Sequence, residues 1–363
     1  MVSSEILFIG VGQAGGNLVD ELLGKNKRIA GICINTNAAD VEALTNVTTK
    51  PLIFPNANGA GRDRDTAKSY LADASNTLML MDSLESYLDN KKHIYIAFST
   101  GGGTGSGLTP AILALMARQR PEVKFNLVIM LPKSSESRLA HSNTIACWNE
   151  LDKLDNIGSI FLIDNNKRRK VEGINREFVR LFNNFLNSPN PHKNVVMDKK
   201  ELSIIAEAKG LMAIYDLDKF LDEPSDVIKE SIDEDSIFVL KNDKCGYVGL
   251  SVPEDFDVDG MFGAFNPTED RFHGVCKDTS LLIVSGVPRT ADAISEVVET
   301  YKKQNADYNK NAVEDGEISS KITGVELPAK KKAKKAVPKA ESNNDIESLF
   351  SNGGDIWDVL NNL

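Results

Sequence analysis

Five short apolar runs punctuate the first half of the chain: EILFIGVG (5–12), IAGICINT (29–36), HIYIAFST (93–100), FNLVIML (125–131) and SIFLID (159–164). Each is nearly continuous in Ile, Val, Leu and Phe, which suits strands buried on both faces of a parallel sheet. Between them the apolar positions follow a helical period. Leu18, Val19, Leu22 and Leu23 share one side of GNLVDELLGK, and residues 66–88 predict one longer helix. This alternation predicts a doubly wound parallel α/β sheet. Residues 171–187 predict a further helix, with Ile174, Phe178, Leu181, Phe182 and Phe185 on one face; SPNP (188–191) ends it. From about residue 202 the order changes. A helix comes first, then the strands GLMAIYDLD, SIFVLK, YVGLSVP and TSLLIVSGVP, and a helix over 290–305 closes the unit. That order predicts an α+β second domain.

Length and charge refine this picture. A chain of 363 residues suggests two domains, and a formal net charge of −10 gives no global attraction to nucleic acid or anionic membrane. No run reaches the roughly 18 apolar residues of a membrane span. The start lacks a basic segment followed by a long apolar one, so no signal peptide is expected. Cys33, Cys147, Cys245 and Cys276 are scattered and read as reduced thiols in a cytoplasmic protein; the four histidines show no metal spacing. After about residue 310 the composition shifts. Six lysines fall between Lys330 and Lys339 without an acid among them, predicting a disordered basic linker. DIESLFSNGGDIWDVLNNL then regains apolar anchors and reads as a terminal recognition peptide.

The candidate chemistry lies in glycine loops. Five glycines crowd Gly101–Gly107, with Thr104 and Ser106 between them, after one strand and before a helix. Such a loop offers free backbone N–H groups and a helix N-terminus to one point, a combination that binds phosphate. Pro110 suits only a first turn, so regular helix is expected no earlier than about Ser106. No lysine follows the glycines, which excludes a Walker A loop. Gly10, Gly12, Gly15 and Gly16 form a second loop after the first strand. The acid that a dinucleotide fold wants at the second strand's tip is replaced by Asn35, which weakens an NAD-dependent reading. Gly59, Ala60 and Gly61, beside Arg62, form a third loop.

These motifs, in this order, resemble the tubulin/FtsZ family. GGGTGSG (101–107) is similar to the tubulin signature loop, GVGQAGGN (10–17) to the first phosphate loop, and NGAGR (58–62) to the γ-phosphate loop. INTN (34–37), LPKSSE (131–136) and LIDN (162–165) are similar to the segments around ribose and base. The resemblance spans roughly residues 5–300. It implies a GTPase that converts GTP to GDP and phosphate with Mg2+. Gly12, Gln13 and Ala14, then Gly59, Ala60 and Gly61, then Thr100, Gly101, Gly102, Gly103, Thr104, Gly105 and Ser106 would hold the phosphates. Asn35 and Glu136 would lie near the ribose. Asn17 and Asn165 would contact the base, and Phe178 would stack on it. Asp40 is placed either near magnesium or at a helix start.

The same resemblance implies catalytic carboxylates on a loop that enters the next subunit's site. VVMDKKEL (195–202) offers Asp198 and Glu201. Hydrolysis would then depend on head-to-tail self-assembly into filaments. The divergent motifs and lysine-rich tail are most similar to the TubZ branch, whose tail engages TubR, a DNA-bound adaptor. Residues 330–363 would bind such an adaptor to segregate plasmid or phage DNA, with tail lysines also touching DNA and no membrane involved. The alternative is an FtsZ-type division scaffold. The expected layout is a GTP-binding domain (1–170), a central helix and catalytic loop (171–201), an activation domain (202–308) and a tail (309–363).

Overall fold

The computed structural model describes residues 1–323 apart from 191, 242 and 243. The expected strands form β1 (Ile6–Val11), β2 (Ala30–Asn35), β4 (His93–Ser99), β5 (Phe125–Leu131) and β6 (Ile157–Asp164), with a two-residue β3 (Leu52–Ile53) outside them. Sheet order β3-β2-β1-β4-β5-β6 is parallel throughout. Every residue of β1, β5 and β6 is buried, which explains the unbroken apolar runs. The crossovers carry α1 (Gly12–Lys25), α2 (Ala38–Glu42), α3 (Arg64–Ala72), α4 (Ala74–Leu88), α5 (Thr104–Gln119) and α6 (Arg138–Leu151).

The long helix expected over 66–88 is two helices. Asp73 ends α3 in an extended conformation, and its side chain accepts the N–H groups of Ser75 and Asn76, starting α4. The chain prefers this cap to a continuous helix because it satisfies donors that a helix start leaves free.

Helix α7 (Val171–Asn187) has the expected bounds. It leads to α8 (Lys199–Glu207), β7 (Gly210–Asp216), α9 (Ser225–Asp235), β8 (Tyr247–Val252), α10 (Val258–Phe265), β9 (Asp270–Val275), β10 (Leu281–Val287) and α11 (Ser295–Thr323). These strands extend the same sheet in the order β6-β7-β10-β8-β9. The β6–β7 join is only two residue pairs, Ser159 with Gly210 and Ile160 with Leu211. β10 runs antiparallel to both β7 and β8. SIFVLK forms no strand; it makes one isolated bridge, Ile163 with Phe238. The polar DRFHGV of β9 is an edge strand that gives no alternating signal. Helix α11 continues to Thr323, well past the expected 305; its polar sequence offers no apolar stripe by which to read that length. The lysine-rich linker beyond it and the terminal peptide lie outside the described residues. Among the described residues, no helix is long and apolar enough to cross a membrane.

Candidate nucleotide site

The C-terminal ends of the parallel strands open into a cleft of about 390 Å3, where doubly wound sheets bind their ligands. Two helices start at its floor, α1 at Gly12 and α5 at Thr104. Their free N–H groups and positive dipole ends favour an anion between them.

Tight packing explains most of the glycines. Gly12 adopts φ +72, a left-handed turn that suits glycine. A Cβ on Gly15 would stand 2.0 Å from the Ala97 carbonyl oxygen, one on Gly105 2.8 Å from that of Ser99, and one on Gly103 2.8 Å from the Asp63 nitrogen. These glycines let backbone meet backbone. Among Gly101–Gly107, a Cβ would meet open space only at Gly102. At that residue the turn presents an open backbone edge, as Gly61 does on the facing loop.

Helix α5 begins at Thr104, two residues ahead of the limit expected from Pro110, which sits inside it. Proline leaves the carbonyl four residues back, that of Ser106, without its helical donor. Arg64 fills the gap: its Nη2 donates to Ser106 O at 3.0 Å. The same guanidinium pairs with Glu150, which also accepts from Lys68 Nζ at 2.8 Å.

The cleft gathers Gly12, Gln13 and Ala14 from the loop after β1, Gly59, Ala60 and Gly61 from the third loop, and Gly101–Gly105 from the loop after β4. Glu136 and Asn165 also line it. Glu136 Oε1 accepts the Lys133 N–H at 3.1 Å, and its Oε2 lies 3.5 Å from Arg62 Nη1. Thr104 Oγ1 and Thr36 Oγ1 are hydrogen-bonded at 2.7 Å.

Other candidates stand behind the surface. Asn35 is buried; its Oδ1 accepts the N–H groups of Thr36 and Asn37, and its Nδ2 donates to Asp40. Thr100 is fully buried, hydrogen-bonded to Thr144 at 3.0 Å. Ser106 donates to Gly102 O from a fully buried position. These three shape the loops from beneath. Asn17 is exposed on α1 and does not line the cleft. Phe178 requires correction. Its ring is 0% exposed and packs edge-on against Phe161 at 5.4 Å and flat on Phe182 at 5.7 Å. It belongs to the core, because its face of α7 lies on the sheet, and it has no surface for a base.

The helical period offered a better candidate that sequence reasoning passed over. Val171, one turn before Asn175, lines the cleft. Asn175 is an amide on the apolar side of α7, buried, with an Oδ1 that has no partner; Asn165 Oδ1 is likewise buried and unpartnered. Buried carbonyl oxygens of this kind want donors, such as the ring N–H groups of a base. An amide within an apolar stripe was the readable signal.

Asp198 and Glu201 lie far from this cleft. Val171 is at the cleft and Asn187 at the far end of α7, a span of about 25 Å at the helical rise. Helix α8 then sits under the N-terminal edge of the sheet. The Met1 amino group donates to Lys199 O, and Glu207 Oε1 lies 2.7 Å from His93 Nδ1 at the start of β4. Asp198 and Glu201 form a capping box: Asp198 Oδ1 accepts the N–H groups of Glu201 and Lys200, and Glu201 Oε2 accepts that of Asp198. The hydrogen bonds from the Glu201 and Lys200 amides hold the Asp198 carboxyl below the usual carboxylate range. No carboxylate of this loop reaches the cleft of its own chain.

Residues 5–172 match the family described as the Tubulin/FtsZ family, GTPase domain. The tubulin-like protein TubZ of Clostridium botulinum C phage is 30% identical, over 96% of this chain and 99% of its own length. The chain belongs to the tubulin/FtsZ family, as a TubZ-like member. As such it carries the family's GTPase. A solved structure of tail-truncated TubZ from C. botulinum phage c-st superposes with a TM-score of 0.75 at 29% identity, covering 84% of this chain and 99% of that one. A GTPγS-form protofilament of TubZ from Bacillus thuringiensis serovar israelensis shares the fold, with a TM-score of 0.72 at 17% identity over 85% and 94% of the two chains.

The tubulin/FtsZ substrate, a guanine nucleotide, fits the chemistry of the cleft. The helix N-termini and the open Gly102 edge suit phosphates, and the unpartnered oxygen of Asn165, which lines the cleft, suits a donor-bearing base edge; Asn175 lies behind the lining, one turn after Val171. Among the described residues no cluster of three metal-ligating side chains exists. The cleft carries Asp40 and the paired hydroxyls of Thr36 and Thr104. That sparse set fits magnesium, which takes one or two carboxylates and otherwise water and substrate phosphates.

Proposed function

We propose that this chain is a self-polymerising GTPase whose reaction centre is completed between subunits. The cleft holds GTP through Gly12–Ala14, Gly59–Gly61 and Gly101–Gly105, with Glu136 beside the ribose, Asn165 on the guanine edge and Asn175 behind it. Asp40 and the Thr36 and Thr104 hydroxyls would hold magnesium, which would supply neutralisation of phosphate charge. Asp198 and Glu201 of the next subunit orient the attacking water. One observation carries this reading: the cleft opens at the C-terminal ends of the parallel strands, whereas the acidic loop leads into α8, which is tied to Met1 and to His93 at the start of β4. A head-to-tail contact brings one end onto the other, and a heterologous contact of that kind propagates as a filament. The protofilament form of the Bacillus relative supports it. The segment 330–363 then recruits a TubR-like, DNA-bound adaptor, its lysines adding salt-sensitive phosphate contacts, so that filaments move plasmid or phage DNA.

The test is complementation. Asp198→Asn and Glu201→Gln keep the helix cap while removing the charges. Gly102→Asp places a carboxylate in open space inside the cleft, where it repels phosphate. Each variant alone should release phosphate at no more than about 1% of the native rate, on the scale of removing a catalytic group. Mixing the Gly102→Asp chain with the Asp198→Asn/Glu201→Gln chain should restore turnover, because an intact cleft then meets an intact loop. A mixture as inactive as its components, or full turnover by the loop variant alone, refutes the shared site.

A further inference from the structure

Two loops of the cleft are joined from behind by one side chain. Asn143, on α6, is 5% exposed and does not line the cleft. Its Nδ2 donates to the Arg62 carbonyl at 2.8 Å and lies 3.4 Å from the carbonyls of Gly101 and Gly102. A primary amide carries two N–H groups. One is committed to the third loop, and the other is shared by two successive carbonyls of the glycine turn.

The grip falls where the backbone needs holding. Arg62 has φ +66, a left-handed conformation unfavourable for a residue with a Cβ, and it follows Gly59 at +86 and Gly61 at +55. The Asp63 N–H closes this turn on Ala60 O at 2.7 Å. The peptide plane supplies a second consequence. In a trans peptide the C=O and the following N–H point in opposite directions. Drawing the Gly101 and Gly102 carbonyls toward α6 therefore turns the Gly102 and Gly103 N–H groups away from α6. The two loops also abut directly, since a Cβ on Gly103 would stand 2.9 Å from Arg62 C.

We propose that Asn143 is a positioning residue that makes the Gly59–Arg62 loop and the Gly101–Gly103 turn respond as one unit, and thereby sets the preference for triphosphate over diphosphate. The inference rests on the phosphate reading of the cleft. A nucleotide anchored at the two helix N-termini reaches the strained Gly59–Arg62 loop with its terminal phosphate. Without the amide that loop relaxes, and the loss falls on a ligand that reaches it.

The experiment measures the affinities of full-length Asn143→Ala and Asn143→Asp for GDP and for a non-hydrolysable GTP analogue. Affinity for the analogue should fall about tenfold, on the scale of a buried hydrogen bond lost, while that for GDP changes less than about threefold. Asn143→Asp should be the worse of the two, because it sets a carboxylate against three carbonyl oxygens. Equal losses for both nucleotides, or no loss, overturn the proposal. Hydrogen exchange of the native protein provides a readout that needs no variant. Amides 59–63 and 101–105 should gain protection together when the analogue replaces GDP, and protection confined to one loop overturns the coupling. A native protein that binds neither nucleotide overturns the phosphate reading, and the clamp with it.

Discussion

Gly15 and Gly102 show how differently two residues of one type serve this protein. Gly15 lets α1 press against β4, and any side chain there collides with the Ala97 carbonyl. Gly15→Ala should destabilise the fold by about 3 kcal/mol, the scale of overpacking in a core, as read by denaturant unfolding. Gly102 borders open space, so Gly102→Ala should leave the unfolding midpoint unchanged and weaken nucleotide binding severalfold in titration calorimetry. The reverse pattern would mean that the free edge of the loop lies elsewhere. The buried thiols make a parallel point about chemistry. Burial pushes Cys33 and Cys147 up to about 12, so both remain protonated and take no part in nucleophilic work.

Among the elements, α5 depends most on partners remote in sequence. Pro110 breaks its own helix ladder, and Arg64 on α3 repairs it while neutralising Glu150 on α6. Arg64→Met should cost about 2 kcal/mol, since it strips the Ser106 carbonyl of its donor and leaves Glu150 with Lys68 as its remaining cationic partner. Pro110→Ala in that background should return about 1 kcal/mol by restoring the donor for Ser106 O; chemical denaturation of the single and double variants measures both. Helix α8 draws on its own sequence. Its capping box satisfies the first turn locally, and the depressed Asp198 pKa means that this cap persists above the usual carboxylate range and is lost as pH falls through the lowered value. The structural duty of the two carboxylates and their proposed catalytic duty do not conflict, because each carboxylate oxygen has more than one acceptor direction.

At the scale of the whole molecule, the C-terminal helix is wired to the cleft. Gln304 of α11 donates to Glu136 O at 2.9 Å, and Arg138 donates to Asn305 at 3.3 Å while lying 4.4 Å from the Tyr308 ring centroid. Glu136 lines the cleft, so the element that leads toward the tail also steadies the glutamate loop. Gln304→Ala should speed release of a fluorescent nucleotide about fivefold, the kinetic equivalent of one hydrogen bond, with little change in melting temperature. Unaltered release would show that the glutamate loop holds itself.

The sequence by itself determined the doubly wound core and the positions of its phosphate loops. Both are local in origin: continuous apolar runs set between helical patterns favour strands buried on two faces, and glycines at strand ends mark turns or close approaches. It did not reveal β9, whose polar edge carries no pattern, nor the break at Asp73, where a cap wins over helical continuity. Only the tertiary structure decided which glycines face open space, that Phe178 turns into the core while Asn175 holds an unpartnered oxygen in a buried place, and that Asn143 joins loops 41 and 81 residues away. It also tied α8, which the acidic loop leads into, to Met1 and to the start of β4, away from the cleft. The physical reason is one of range: periodicity and turn chemistry act over a few residues, whereas these outcomes depend on which surfaces meet once the sheet has assembled.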